Sequence, residues 1–489
     1  MRVRNPPAAV VRPAILASMH RLVRAQGHGR VGPFRHQLQG LPQAFLAICL
    51  AVGGVMSTSA SVDAAGTYYV ATNGNNDASG SKASPWRTLQ KAATAAPAGS
   101  TVYLRAGTYV GATITRSGLT FANATGEVAY VAGDATHTNV IRISNAHDVV
   151  IRGLRVKNAP AKWGAGIKID QSSYRITIDG AVVSNNKSFG ILVEDSTSVT
   201  IKGSEIMGNQ IGIQFSRAGG GSLITTNSIH DNNKMVVNDS TPDNDRGANA
   251  VAFYKTTGTI TASRNRIWGH RAVSTDYGYD GGAFEIYAAS NIVMTQNSMS
   301  NNQSVIETGT DGSSGCSNLT FTRNRANGGK DGGLPSEGLI LRCASNSLIA
   351  NNTFYDLSRF VFYITGGGAF AGGIDNLRIR NNLSRQTGAQ IYSLGAGIPS
   401  SVTIDYDLVW NNSGAPIAWV SGKGNTALLA TFRSWTGHDM HGLRANPRLD
   451  LSTWRSTLPS PVVDRGVRIG GVTDGYIGAA PDIGRHELR

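Results

Sequence analysis

The chain has 489 residues, 40% of them hydrophobic and 59 of them glycine, and its 45 Lys and Arg against 31 Asp and Glu give a net charge of +14. That length allows a continuous core, but helix-period segments are scarce, and the wealth of Gly, Ser, Thr and Asn fits repeated corners rather than a helical bundle. Motifs for a Ser or Cys nucleophile, a phosphate-binding loop and a zinc site are absent from the sequence, so those chemistries are left out.

Residues 1–65 stand apart from the fold. An apolar run at 45–56 is too short to span a bilayer, Arg21, Arg24, Arg30 and Arg35 precede it, and small residues follow it up to Ala64. This is the pattern of a secretory signal and leader cleaved near Ala64 or Ala65, starting at Met1 or Met19. An uncleaved membrane anchor is the alternative. Cleavage would leave 38 basic against 30 acidic residues, a net of +8, on a protein that is secreted or periplasmic, monomeric and free of the membrane. Outside the cytoplasm the expected partner of such a protein is an acidic polysaccharide and not nucleic acid.

The remainder, 66–489, reads as a single domain: cap and first coil at 66–110, coils at 111–400, C-terminal strands and tail at 401–489. Residues 67–70 predict a strand and 73–80 a loop. Pro85 and the spacing of Trp86, Leu89, Ala92 and Ala93 predict one short amphipathic helix over 84–93. Residues 98–109 then enter the first coil.

From about Val150 to Ser384 one phrase recurs, apolar–x–x–Asn–x–apolar. Its Asn slot is filled by Asn227, Asn265, Asn297, Asn324, Asn352 and Asn382, and in three earlier copies by Leu154, Ala181 and Ser204. Successive copies begin 27, 23, 23, 38, 32, 27, 28 and 30 residues apart. Periods of this size with short β-branched runs predict an all-β solenoid, a right-handed parallel β-helix of one coil per repeat. Asn tolerates the left-handed backbone of a sharp corner, and amides stacked roughly 4.8 Å apart can bond from coil to coil. Independent Asn-rich turns in a β-sandwich would not share one phase.

The two longest intervals are adjacent and hold insertions at 231–246 and 268–280. Loops leaving neighbouring coils at one corner make a groove wall, a common place for a site. Alternation along the following strands points Val251 and Phe253 inward, and Tyr254, Glu285, Tyr287 and Arg342 outward. Glu307 is ambiguous in register but is not easily buried unpaired. Lys255 follows Tyr254, and the insertions add Arg246, His270, Arg271, Tyr279 and Asp280. Asp243 and Asp245 are weak calcium ligands, since no complete loop motif surrounds them. The tyrosines can equally be a sheet ladder, and Glu285 a structural partner of Arg271 or Arg342.

Cys316 and Cys343 precede their coils' Asn phrases by similar distances, which predicts a disulfide between neighbouring coils in an oxidising compartment. Two buried free thiols are the alternative.

The order of residues 68–109, with the Trp86 helix and Gly107-Thr-Tyr109, resembles the N-terminal cap and first coil of secreted pectate-lyase-like β-helix proteins. The tail, with Trp435, His438, Asn446-Pro447 and Pro481-Asp482, is similar to the C-terminal part of the same superfamily. The resemblance covers nearly all of residues 66–489 and implies the fold and export more sharply than a reaction, because the superfamily holds lyases, hydrolases, epimerases and binding proteins.

Three functions remain open. A lyase cleaving a uronate glycan by β-elimination would use Arg246, Arg271 or calcium against the carboxylate. Lys255, His270 or Tyr254 would be its base and Tyr254 or Tyr287 its acid. A uronate C5-epimerase shares that first step. A glycoside hydrolase would pair Glu285 with Asp280 or Glu307, and a non-catalytic carbohydrate-binding protein would stack sugars on the tyrosines.

Overall fold

Each corner of the helix needs one residue in the left-handed region, and the chain supplies it at a fixed place. Thr226, Arg264, Gln296, Arg323, Asn351 and Asn381 have φ of 53–58°, each immediately before the Asn of its phrase. In the earlier copies Gly153, Gly180 and Gly203 hold that place, where the missing Cβ removes the steric penalty. The expectation that the slot Asn itself turns left-handed is therefore corrected. The preceding residue makes the turn, which leaves the Asn side chain buried and free to bridge coils.

Bridging is done by backbone and side chain together. Asn297 donates its N–H to Asn324 Oδ1 at 2.8 Å and its side-chain amide to Ala262 O at 2.9 Å and Asn324 Oδ1 at 3.1 Å. The same contact runs from Ser204 through Asn227, Asn265, Asn297, Asn324, Asn352 and Asn382 to Asp407. These groups are buried, so each rung satisfies backbone donors that a corner would otherwise strand.

The computed structural model describes residues 64–241, 245–328, 336–368, 370–412 and 414–488; the expected signal at 1–65 lies almost wholly outside them. The chain winds through three long sheets of 13, 12 and 13 strands. A typical coil passes from Ser222–Thr225 in the first sheet to Ser228–His230 in the second and Asn249–Tyr254 in the third. Pairing within these sheets is parallel except for Ala418–Val420 with Gly424–Thr426 at the end of the third. Ile201, Ile224, Ala262, Met294, Phe321, Ile349 and Ile379 stack in register, all at most 3% exposed. One deleted Ile in such a column would cost on the order of 2–5 kcal/mol.

A second ladder, not foreseen from the phrase, lies at the corner between the second and third sheets. Asn185, Gly208, Asp231, Gly269 and Asn301 turn left-handed there, just before Asn186, Asn209, Asn232, His270 and Asn302. Asn186 N–H donates to Asn209 Oδ1 at 2.9 Å, Asn209 to Asn232 Oδ1 at 3.1 Å, and His270 to Asn302 Oδ1 at 3.2 Å.

Both open ends of the core are covered. The first strand is Thr67–Val70, and the helix is Leu89–Ala95, with Thr88 as its N-cap accepting from Lys91 N–H at 3.1 Å. Pro85 lies before the helix, and Trp86 packs as a cap residue, stacked on Tyr68 at 4.9 Å. Gln90 exchanges two bonds with the Thr113 backbone, which fixes the helix over the first coil. At the far end a helix, Leu429–Thr436, buries Leu429 and Phe432, the latter stacked on Tyr392 at 4.8 Å. The tail beyond it turns back along the outside of the second sheet, where Val462 and Ile483 bury Leu383 and Leu408. Among the described residues no helix is long and apolar enough to cross a membrane.

Candidate active site on the third sheet

The third sheet is the one whose outer face gathers chemistry. Register sets Ala252, Glu285, Glu307 and Ile340 in one outward row and Tyr254, Tyr287 and Gly309 in the next. Glu307 thus stands beside Glu285, which resolves its ambiguous phase. Adjacent parallel strands hold these two side chains about 4.8 Å apart at the backbone. Arg342 donates to Glu307 Oε1 at 2.6 Å, and the pair is 6% and 12% exposed at the side chains. A buried carboxylate of this kind persists because its partner charge and hydrogen bond are both present.

Three further carboxyls crowd the pair. Burial holds the half-buried Glu285 well above the usual carboxylate range, and Glu307 and Asp280 add to it while Arg342 opposes. Asp280 is also raised well above its ordinary value, by burial first and then by Glu307. It is 5% exposed, accepts from Gly281 N–H at 2.7 Å, and has no partner for Oδ2 among the described residues. Glu337, not foreseen from the sequence, is pushed up to about 7 by burial, although Arg359 pairs with it. Aligning the third-sheet strands reveals it: Glu337-Gly-Leu takes the place of Gly282-Ala-Phe and Ser304-Val-Ile. Glu307 is thus clasped by a guanidinium while Glu285 and Asp280 are driven toward the protonated form by their surroundings, the kind of separation that acid and base roles require.

Tyr254 and Tyr287 stack at 5.4 Å with ring planes 1° apart. Tyr287 faces outward as expected, yet it is 3% exposed and its hydroxyl has no partner among the described residues. Burial, then Asp311, raises its pKa strongly, so it stays protonated. Lys255 pairs with Asp311 at 2.8 Å, which raises the ammonium pKa. It therefore holds its proton and is a poor base.

Other expected site residues lie elsewhere. His270 is corrected outright: it is a rung of the second ladder, fully buried, with Nε2 on Ile229 O at 3.2 Å, and does not project from the groove wall. Burial lowers its pKa to about 4. Arg271 reaches along the same corner to Gln303 Oε1 at 3.0 Å, Asn301 Oδ1 at 3.1 Å and Asn302 O at 3.3 Å. Its length lets it tie one coil to the next, so it is not aimed at the carboxyls.

Arg246 stays at the groove margin, its guanidinium 4.3 Å over the ring of Trp163. Trp163 packs on the outward apolar patch of Ala165, Phe189, Leu192, Ile211 and Ala252. The second insertion folds as a hairpin, Ala272–Ser274 against Gly278–Asp280, with Tyr279 opposite Val273. It delivers Asp280 to the carboxyl group. Asp243 lies outside the described residues. Asp245 is buried, with Oδ2 taken by Ser274 Oγ at 2.8 Å and Asp276 N–H at 3.0 Å. Among the described residues no three His, Cys, Asp or Glu side chains are grouped to hold a metal.

Cys316 and Cys343 form the expected disulfide, Cα–Cα 5.0 Å, with Cys316 Sγ 3.2 Å from the Gly309 carbonyl. A methyl group built on Gly309 would come within 3.2 Å of Phe370 and 3.8 Å of the Tyr287 ring.

The chain resembles several known proteins. Residues 107–334 and 249–432 match the family described as right handed beta helix region, and residues 72–120 match a protein family of unknown function, DUF1565. Over 167 residues it is 32% identical to the uncharacterized protein YwoF of Bacillus subtilis (strain 168), covering 32% of this chain and only 33% of that relative. Among solved structures, pectate lyase Pel9A superposes with a TM-score of 0.50 at 17% identity, over 88% of this chain and 98% of that one. The complex of XylC with xylose gives 0.52 at 12% identity, over 72% and 86%. At such identities the likeness concerns the fold alone. The family match and the three parallel sheets agree, and the chain belongs to the right-handed β-helix family.

Proposed function

We propose that the protein is a carbohydrate-active enzyme that hydrolyses a glycosidic bond in the groove of the third sheet. The observation that carries this reading is the pairing of Glu285 and Glu307 in register, with Arg342 clasping only Glu307. Glu285, kept protonated by burial, would give its proton to the leaving oxygen. Glu307, clasped by Arg342, would attack or stabilise the sugar carbon from the other side. Residues on adjacent strands suit the closer carboxyl spacing of about 5–5.5 Å that goes with retention of configuration. Asp280 is the alternative partner, brought to the pair by its hairpin. A pectate lyase and a xylose-bound protein share the fold, which is in keeping with a saccharide substrate.

Elimination is the second reading, supported by the unpartnered Tyr287 hydroxyl as a proton donor. It is weakened by the state of two of its three candidate bases, since Lys255 is tied to Asp311 and His270 is walled into a corner, which leaves Tyr254. Export, in turn, is supported by the disulfide.

The test is to incubate the protein with a panel of neutral and uronate glycans. New reducing ends with retained anomeric configuration and no unsaturated uronate are expected. Unsaturated product would overturn hydrolysis in favour of elimination, and binding without any product would leave a carbohydrate-binding protein.

A further inference from the structure

We propose that the outer face of the second sheet, with the tail folded beside it, is a separate binding surface for an acidic polysaccharide. Four arginines and two tryptophans make it. Arg266 and Arg325 flank Ser298 in register, so they stand two coils, or about 10 Å, apart along the rod. Arg266 lies 5.5 Å over the ring of Trp268, and Arg325 lies 5.2 Å over the ring of Trp454 from the tail. Arg455 neighbours Trp454 in the tail. Arg485 reaches in from the chain end to the Asn297 and Gln296 carbonyls at 3.2 and 3.4 Å.

The arginines of this face carry charge that no ion pair offsets. Several arginines on or beside the other sheets are matched by carboxylates, as in Arg175 with Asp148 at 2.6 Å and Arg217 with Glu194 at 2.7 Å. Among the described residues none of Arg266, Arg325, Arg455 and Arg485 forms an ion pair. Their partners are neutral: Ser298 Oγ at 2.8 Å and the Thr453 carbonyl for Arg325, and two further carbonyls for Arg485. The positive field is felt at His486, lowered to about 4 by burial and then by Arg485, Arg455 and Arg325. Guanidinium groups spaced along an extended sheet, held in place by the indoles they pack on, suit an extended chain with recurring carboxylate or sulfate groups. The Cys316–Cys343 disulfide belongs to oxidising compartments, where such polyanions are glycans rather than nucleic acids.

This surface is distinct from the groove, and its test is independent of any reaction there. Binding of dextran sulfate, neutral dextran and a single-stranded oligodeoxynucleotide to the full protein would be measured by affinity electrophoresis or calorimetry. Dextran sulfate is expected to bind, more weakly as salt rises, and neutral dextran not to bind. Arg266→Gln with Arg325→Gln should weaken that binding at least about tenfold, two lost charge-assisted contacts being ample for it, while Glu285→Gln binds as the parent does. The exposed Arg266→Gln alone gives the same direction should the double variant fold poorly. Unchanged binding in these arginine variants, or a loss confined to Glu285→Gln, overturns the assignment. An oligodeoxynucleotide that binds as tightly as dextran sulfate overturns the choice of glycan.

Discussion

His270 and Asn302 are successive rungs of one ladder, the His270 N–H donating to Asn302 Oδ1 at 3.2 Å. The imidazole Nε2 meets the Ile229 carbonyl at 3.2 Å, as the Asn232 amide meets Ile206 at the same distance. His270 is thus an asparagine substitute at a corner, and its pH behaviour follows. Its pKa falls from 6.5 to about 4 on folding, so the unfolded chain binds more protons in between and stability drops as pH falls through that window. His270→Asn should melt close to the parent at pH 7.5 and several degrees above it near pH 4.5. Asp439, raised to about 7, gives the opposite slope, but it is common to both proteins and cancels in the difference. A variant that is fully stable and inactive would instead make His270 catalytic.

The groove carboxyls should dominate turnover. Glu285→Gln and Glu307→Gln are each expected to lower kcat by about 10²–10⁴-fold without loss of fold, the usual worth of a positioned acid or base. Tyr254→Phe should be mild, because it keeps the ring stacked on Tyr287. Steady-state rates on a confirmed substrate decide, and near-normal rates in both Glu variants would move the site to another face.

Asn297→Ala removes a rung with bonds to both neighbouring coils. Its loss should cost on the order of 1–3 kcal/mol or slightly more, since Asn265 and Asn324 lose partners as well. Thermal melting should fall by several degrees while the folded fraction keeps full activity.

The disulfide closes a sequence separation of 27 residues, for which loop entropy gives about 3–4 kcal/mol. Cys316→Ser should lower the melting temperature, and the parent should lose a similar margin under reductant. Peptide mapping of the unreduced protein should recover the two cysteine peptides linked.

Much of this architecture is written locally, and the reasons are physical. Period and phase are properties of the chain itself, so the Asn297 ladder, the first strand at 67–70, the outward side of Tyr254 and the cysteine pairing were all readable without coordinates. The second ladder was readable too, since Asn232, His270 and Asn302 each follow a first-ladder Asn by five residues, but His270 hides there because imidazole can replace a carboxamide donor. The groove depended on what no single strand specifies. Which carboxyl meets a guanidinium is set by register between coils 35 residues apart in sequence, as with Glu307 and Arg342. Burial by distant loops decides which groups hold their protons, as for Asp280 and Glu285. Composition announced a basic protein, but only the folding back of the tail brought Arg485 and Trp454 alongside Arg325, because charge adds up in space and not along the chain.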